Sequence, residues 1–238
     1  MATSNPTSFT PRLEILPNPQ RILWPELAAV STEFTLYGGT ALALHLGHRQ
    51  SADFDFFGTR EFDPFTLLSR TTFLAEAEVL RQERNTLDLS VAREGGSVKL
   101  SFFGVPSLPR LRPAVVCPDN GLKVASLLDI AGTKVKTVQE RAEAKDYVDI
   151  AALILDGRIN LAMALAAGSA MYGRQFNPQI TLKALAYFAD GNLQDVPATA
   201  RTVLTKAVGA TDPLRLPTIS RAKTPVARTP TRDGGMDR

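Results

Sequence analysis

Leu36-Tyr37-Gly38-Gly39-Thr40-Ala41-Leu42-Ala43-Leu44-His45-Leu46, followed by Arg49-Gln50-Ser51-Ala52-Asp53-Phe54-Asp55-Phe56-Phe57, decides how this chain folds. It reads as an apolar strand, a diglycine turn, an apolar helix and a second strand with two carboxylates two residues apart. Side chains alternate across a strand, so Asp53 and Asp55 share one face while Phe54 and Phe56 take the other. Two carboxylates about 5 Å apart repel by roughly 3 kcal/mol at an effective dielectric near 20. A positive charge must offset that repulsion, and a hard divalent cation such as Mg²⁺ is the natural candidate. A strand this apolar is a poor solvated edge, where lysine would mix with the carboxylates. Gly38 and Gly39 would add bare N–H groups at a helix start, a cradle for phosphate, with the Thr40 hydroxyl as one more donor. The same diglycine also suits a plain tight turn, and the chain holds no GxGxxG fingerprint or P-loop.

Around this stretch the other chemistry is sparse. Arg49 stands between the helix and the acidic strand, open to pairing with Asp53, with Asp55 or with a phosphate. His45 lies on the apolar helix and reads as a packed side chain. Two histidines (His45 and His48) and one cysteine (Cys117), without ligand spacing, argue against zinc and offer no nucleophile–base pair. The lone cysteine also rules out an internal disulfide and fits a reducing compartment. Farther on, Asp129-Ile130-Ala131-Gly132-Thr133-Lys134 precedes Arg141 and then Lys145-Asp146-Tyr147-Val148-Asp149-Ile150. On one helix Lys134 and Arg141 would share a face, as would Asp146 and Asp149. As ordinary helix charges they carry no message, but a lysine aimed at a triphosphate would complete a nucleotide site.

The organisation along the chain follows the hydrophobic period. Residues 1–20, with four prolines, read as an extended lead-in. A helix is expected over 25–31, strands over 33–37, 53–57, 79–83, 86–92, 98–103 and 115–117, and a helix from Pro64 capped by Asp63. From Leu122 the period turns helical, over 122–130, 133–140, 146–155, 161–167, 182–188 and 198–207. A β-rich first half and an α-helical second half argue an α+β protein: a core over 21–118 and a helical lobe over 119–210. Residues 211–238 read as a disordered basic tail.

At 238 residues, 44% hydrophobic and 21% charged, the composition is that of a globular protein. Six of its 27 basic and three of its 24 acidic residues lie from Thr211 onward, so the rest balances at 21 of each sign. The net charge of +3 therefore marks no broad nucleic-acid footprint on the body. No apolar run nears the ~18 residues of a membrane span, and the start is unlike a signal peptide, so a cytoplasmic protein is expected.

In order and spacing, Leu36 to Arg49, Ser51 to Phe57, Asp129 to Lys134 and Lys145 to Ile150 resemble the AbiEii-type nucleotidyltransferase toxins. These are members of the DNA polymerase beta-like nucleotidyltransferase superfamily, and the likeness spans roughly residues 15 to 210. The resemblance implies a nucleotidyltransferase fold, a mixed sheet flanked by helices, followed by a helical C-terminal lobe. Mg²⁺ and a nucleoside triphosphate would lie between them. It implies that Gly38, Gly39 and Thr40 hold the triphosphate, that Asp53 and Asp55 bind the metal, that Lys134 contacts phosphate, and that Asp146 is a carboxylate needed for activity. It further implies a toxin paired with an antitoxin protein, transferring NMP to an acceptor hydroxyl such as that of tRNA. A protein acceptor and a non-catalytic nucleotide-binding module are the alternatives. Two departures stand out. Gly39 replaces the superfamily's usual serine, and Ser101 stands where a third carboxylate is usual, with Asp88 or Asp146 as stand-ins.

Overall fold

The computed structural model describes residues 9–30 and 32–221, so the expectations for 1–8 and 222–238 lie outside it. In chain order it has α1 (Asn18–Leu23), β1 (Phe34–Tyr37), α2 (Gly38–Leu46), β2 (Phe54–Gly58) and α3 (Pro64–Arg70). Next come β3 (Glu78–Glu83), β4 (Thr86–Arg93), β5 (Gly96–Gly104), β6 (Val115–Val116) and β7 (Lys123–Val124). The helices α4 (Leu127–Thr137), α5 (Ala144–Asp156), α6 (Leu161–Tyr172), α7 (Pro178–Leu185) and α8 (Ala198–Gly209) complete it. The strands form one mixed sheet in the order β3-β4-β5-β2-β1-β7-β6. Among the described residues only β2 with β5 and β1 with β7 run parallel.

Pairing of β1 with β2 sets Tyr37 opposite Asp55 and Leu36 opposite Phe56. Pairing of β2 with β5 sets Asp55 opposite Ser101 and Phe57 opposite Phe103. Two faces result. On one, Phe54, Phe56 and Phe102 are fully buried, with Phe56 stacked on Phe102 at 4.9 Å and Trp24 beyond Phe54. Each such ring contributes about 1.5–3 kcal/mol by leaving water. The other face carries Tyr37, Asp55, Phe57, Ser101 and Phe103 and looks toward α4 and α6.

Local chemistry explains several element ends. Asp63 accepts the Thr66 N–H at 2.9 Å and caps α3, as expected. Ser126 caps α4, taking the Asp129 N–H at 3.1 Å. Asp129 itself is buried and accepts the N–H groups of Leu111 (2.9 Å) and Arg112 (3.0 Å), tying the proline-rich loop to α4.

The structure departs from the sequence reading in its element bounds at several places. Residues 13–20 are not an extended lead-in: Leu13–Ile15 is a helical turn, α1 follows, and Ile15, Leu16, Pro19 and Gln20 are buried. The expected helix over 122–130 is split, because residues 123–124 join the sheet as β7 and Ser126 starts α4 afresh. The boundary at 118/119 consequently cuts the β6–β7 hairpin, and β7 pairs with β1 inside the sheet. Residues 211–221 are not loose either. Leu216 and Ile219 pack on the core and Arg221 Nε donates to the Ala170 carbonyl at 3.0 Å. Among the described residues no single helix is long and apolar enough to cross a membrane.

Candidate active site

Because Tyr37 pairs with Asp55, the chain leaves β1 directly beside that carboxylate. There is no separate turn: Gly38 and Gly39 are the first residues of α2, and Gly38 has a φ of +72°, a conformation that favours glycine. A Cβ on Gly38 would overlap Asp55 Oδ2, and one on Gly39 would overlap the Arg49 guanidinium. Bare backbone is thus what lets a carboxylate and a guanidinium approach the start of α2 from two sides.

Thr40 differs from expectation. It is 1% exposed, and its hydroxyl bonds Ser51 Oγ at 2.8 Å and donates to the Asp53 carbonyl. Its role is to fold the loop after α2 back so that Asp53 and Asp55 come up beside the glycines. Ser51, which the sequence reading passed over, borders the space where a ligand would lie.

That space is a cavity of about 750 Å³. Gly38, Gly39, Asp53 and Asp55 form one wall, with Phe57, Lys99 and Phe103 from the sheet. Thr133, Lys134 and Thr137 of α4 face them, and Glu140, Arg141 and Lys145 from the turn into α5 close the rim. Asp53 is exposed just before β2, and Asp55 is half-buried within it. Burial, and then the charge of Asp53, push the Asp55 carboxyl above its ordinary range, while Lys134, Lys99 and Arg141 pull it down. Lys99, Arg141 and Lys145 were not expected here as a set. Alternation along β5 places Lys99 on the face of Ser101 and Phe103, a signal the sequence does contain.

Behind the cavity lies a buried ion network. Lys134, 5% exposed, donates to Asp146 Oδ1 at 2.8 Å and pairs with Asp149 Oδ2 at 2.6 Å. Arg49 grips Asp149 with two bonds of 2.6 and 3.0 Å, and His48 Nε2 bonds the same carboxylate at 2.8 Å. Arg141 Nε bonds Asp146 Oδ2 at 2.8 Å. Burial works to raise both carboxyls. For Asp149 the bonds from His48 and Arg49 and the Lys134 charge outweigh it, holding the group well below its usual range. For Asp146 the Arg141 bond and the Lys134 charge do the same.

Two expectations change as a result. Asp146 is fully buried, does not line the cavity and has both oxygens occupied, so it cannot reach a substrate hydroxyl as it stands. It is a positioning residue for Lys134 and Arg141. Lys134 does line the cavity, but its ammonium is already bonded to two carboxylates. Nor do Lys134 and Arg141 share a helix, since α4 ends at Thr137. Arg49, the residue left open, pairs with Asp149 and neither of the sheet aspartates. His45 is packed as expected, with Nε2 bonded to the Ala125 carbonyl at 2.8 Å, and burial lowers its pKa. Cys117 is buried, its thiol pushed up to about 12 by burial and then by Asp119.

The residues present fit a divalent cation at Asp53 and Asp55: two hard oxygen donors on one cavity wall, mutually repelling, with Gly38 leaving room at Asp55 Oδ2. Among the described residues no group of three or more acidic, histidine or cysteine side chains is gathered as a metal site. Ser101 opposite Asp55 brings no charge, and Asp88 stands one strand further, opposite Ser101. Asp88 pairs with Arg81 at 2.9 Å and does not line the cavity, so it completes no carboxylate triad there.

A mixed sheet with one aspartate on a central strand and a second just before it, a glycine-started helix beside them and basic helices over the gap define the class: a nucleotidyltransferase fold. The same fold is seen in a putative nucleotidyltransferase from H. pylori (TM-score 0.52, 20% identity, 80% of this chain and 90% of that one). It is also seen in MenT4, a nucleotidyltransferase toxin from Mycobacterium tuberculosis H37Rv (TM-score 0.54, 16% identity, 80% and 83%). Residues 21–224 match the family described as nucleotidyl transferase AbiEii toxin, type IV toxin–antitoxin system, and the chain belongs to that family of nucleotidyltransferases. An uncharacterized protein of Aquifex aeolicus is 32% identical over 163 residues, covering 68% of this chain and 76% of its own length.

Proposed function

We propose that the protein transfers an NMP from an NTP to an acceptor hydroxyl, with tRNA as the acceptor and Mg²⁺ as the cation, in the cytoplasm. A cognate antitoxin protein would restrain it. The observation that carries this reading is one cavity that unites the start of α2, the two aspartates and a basic opposing wall. Asp53 and Asp55 would hold Mg²⁺, which when bound supplies positive charge against the phosphates. Gly38 and Gly39 would give backbone N–H groups to the triphosphate. Lys99, Arg141 and Lys145 would neutralise its oxygens, and Lys134 would act from the floor through its charge. The acceptor hydroxyl attacks the α-phosphorus and releases its proton to water, the bond to the β-phosphate breaks, and pyrophosphate leaves. The chain's contribution is orientation and charge, as is usual in phosphoryl chemistry.

Full-length protein, labelled NTPs, Mg²⁺ and total RNA should yield labelled RNA and pyrophosphate, and Asp55→Asn should abolish both. Label in protein alone would identify a protein acceptor. Equal labelling by Asp55→Asn would overturn the site.

A further inference from the structure

We propose that a second cavity, adjoining the first at Phe57, holds the flat base of the nucleotide substrate and selects among NTPs; this rests on the transfer reading above. The cavity is about 330 Å³, at the end of β2 and β5, where Phe57 meets the loop after β5 and the end of α6. Phe57 lines both cavities. Its ring is fixed from two sides, stacked on Tyr37 at 4.8 Å with a 14° tilt and met edge-on by Phe103 at 5.6 Å. Tyr37 takes one face of the ring, and the remainder, held rigid, lines both cavities and is where a nucleobase would rest.

The spacing also fits. Phe57 lies two residues beyond Asp55 on the same face of β2, about 6.6 Å along the strand, a gap that a ribose fills. Tyr172 lines the smaller cavity from the other side. Leu108 and Met171 supply apolar sides. Ser107 and Gln175 supply a polar rim, and neither side chain makes a hydrogen bond within the described residues. A carboxamide offers both a donor and an acceptor, the equipment for reading the edge of a base.

The same flat chemistry could arrive from the NTP or from the terminal base of an RNA acceptor, and the experiment separates them. Binding of the four NTPs and of inorganic tripolyphosphate is measured by competition on the full chain, for the wild type, Phe57→Leu and Gln175→Leu. Gln175 is exposed, so its substitution leaves the fold intact. The wild type should prefer one NTP over tripolyphosphate by about tenfold, and Phe57→Leu should remove most of that margin. Gln175→Leu should flatten the ranking of the four NTPs while tripolyphosphate affinity holds. An unchanged ranking in both variants overturns the subsite. So does an unchanged ranking accompanied by altered choice of RNA 3′ end, which would hand the cavity to the acceptor. A wild type that binds neither tripolyphosphate nor any NTP marks failure of the transfer reading itself, and the subsite falls with it.

Discussion

Gly38 shows how much a single residue carries. Its φ of +72° and the missing Cβ together let backbone touch the Asp55 carboxylate. Gly38→Ala should therefore cost about 1–3 kcal/mol in stability through a strained backbone and displace Asp55. Transfer activity should fall at least about tenfold, since an ångström of misplacement can cost more; thermal melts and a labelling assay check both parts. Asp55 itself is expected to behave in the opposite way in the fold. Burial and the neighbouring Asp53 disfavour its charge, so Asp55→Asn should raise the melting temperature at pH 7, by about 2–4 °C if the relief is about 1 kcal/mol. Added Mg²⁺ should stabilise the wild type and leave Asp55→Asn unmoved, which differential scanning at graded Mg²⁺ would test. A wild type indifferent to Mg²⁺ would remove the cation from Asp53 and Asp55. The spacing of those aspartates hinted that they would come to one cavity, although Asp53 stands just before β2 and not within it. Thr40's task was not legible, because it depends on residues 47–53 folding back, which no spacing encodes.

Among elements, the buried charges tie α4 and α5 to the loop after α2. Asp149 is the hub, taking Arg49, His48 and Lys134 with none of its surface exposed. Removing its charge leaves Arg49 without its carboxylate partner and Lys134 with Asp146 alone, so Asp149→Asn should cost about 3 kcal/mol, or roughly 10 °C. The pH dependence has a definite sign. The folded-state pKa is depressed, so the contribution is present above the ordinary carboxylate value near 4 and is lost as pH falls below it. Melting temperatures of wild type and variant should thus converge in acid; a constant gap down to pH 2 would mean the effect is packing alone. The pattern Asp146, Asp149 on one helical face was visible in the sequence, yet its partners were not. Lys134 and Arg141 looked like one basic face aimed at phosphate because a break after Thr137 leaves little trace in composition. Arg49 and Asp149 are separated by a hundred residues and no local pattern pairs them.

For the molecule as a whole, the α+β layout with its helical C-terminal region was legible from the change of hydrophobic period near Leu122, but the residue at which the sheet gives way to the helices was not. The two-residue strand β7 is too short to leave an alternating signature, and it joins β1 next to the edge strand β6. One continuous core runs from Ile15 through Phe56 and Ala131 to Leu204. The chain should accordingly unfold as one unit. Trp24, its only tryptophan, sits in the layer behind the sheet with Nε1 bonded to Asp119 at 2.6 Å, and reports on that layer. Its fluorescence and the far-UV dichroism of α4 to α8 should trace one coincident urea transition. A fragment ending at residue 118 would lack Asp119, β7 and the helices that cover α2, exposing buried Leu36, Leu42 and Leu44. It should show no dispersed amide spectrum and should aggregate at micromolar concentration. Two separated transitions in the full chain, or a well-dispersed spectrum from that fragment, would mean the sheet holds without its helical cover. The cavity between Asp55 and Lys134 would then have to form by docking of two independent bodies.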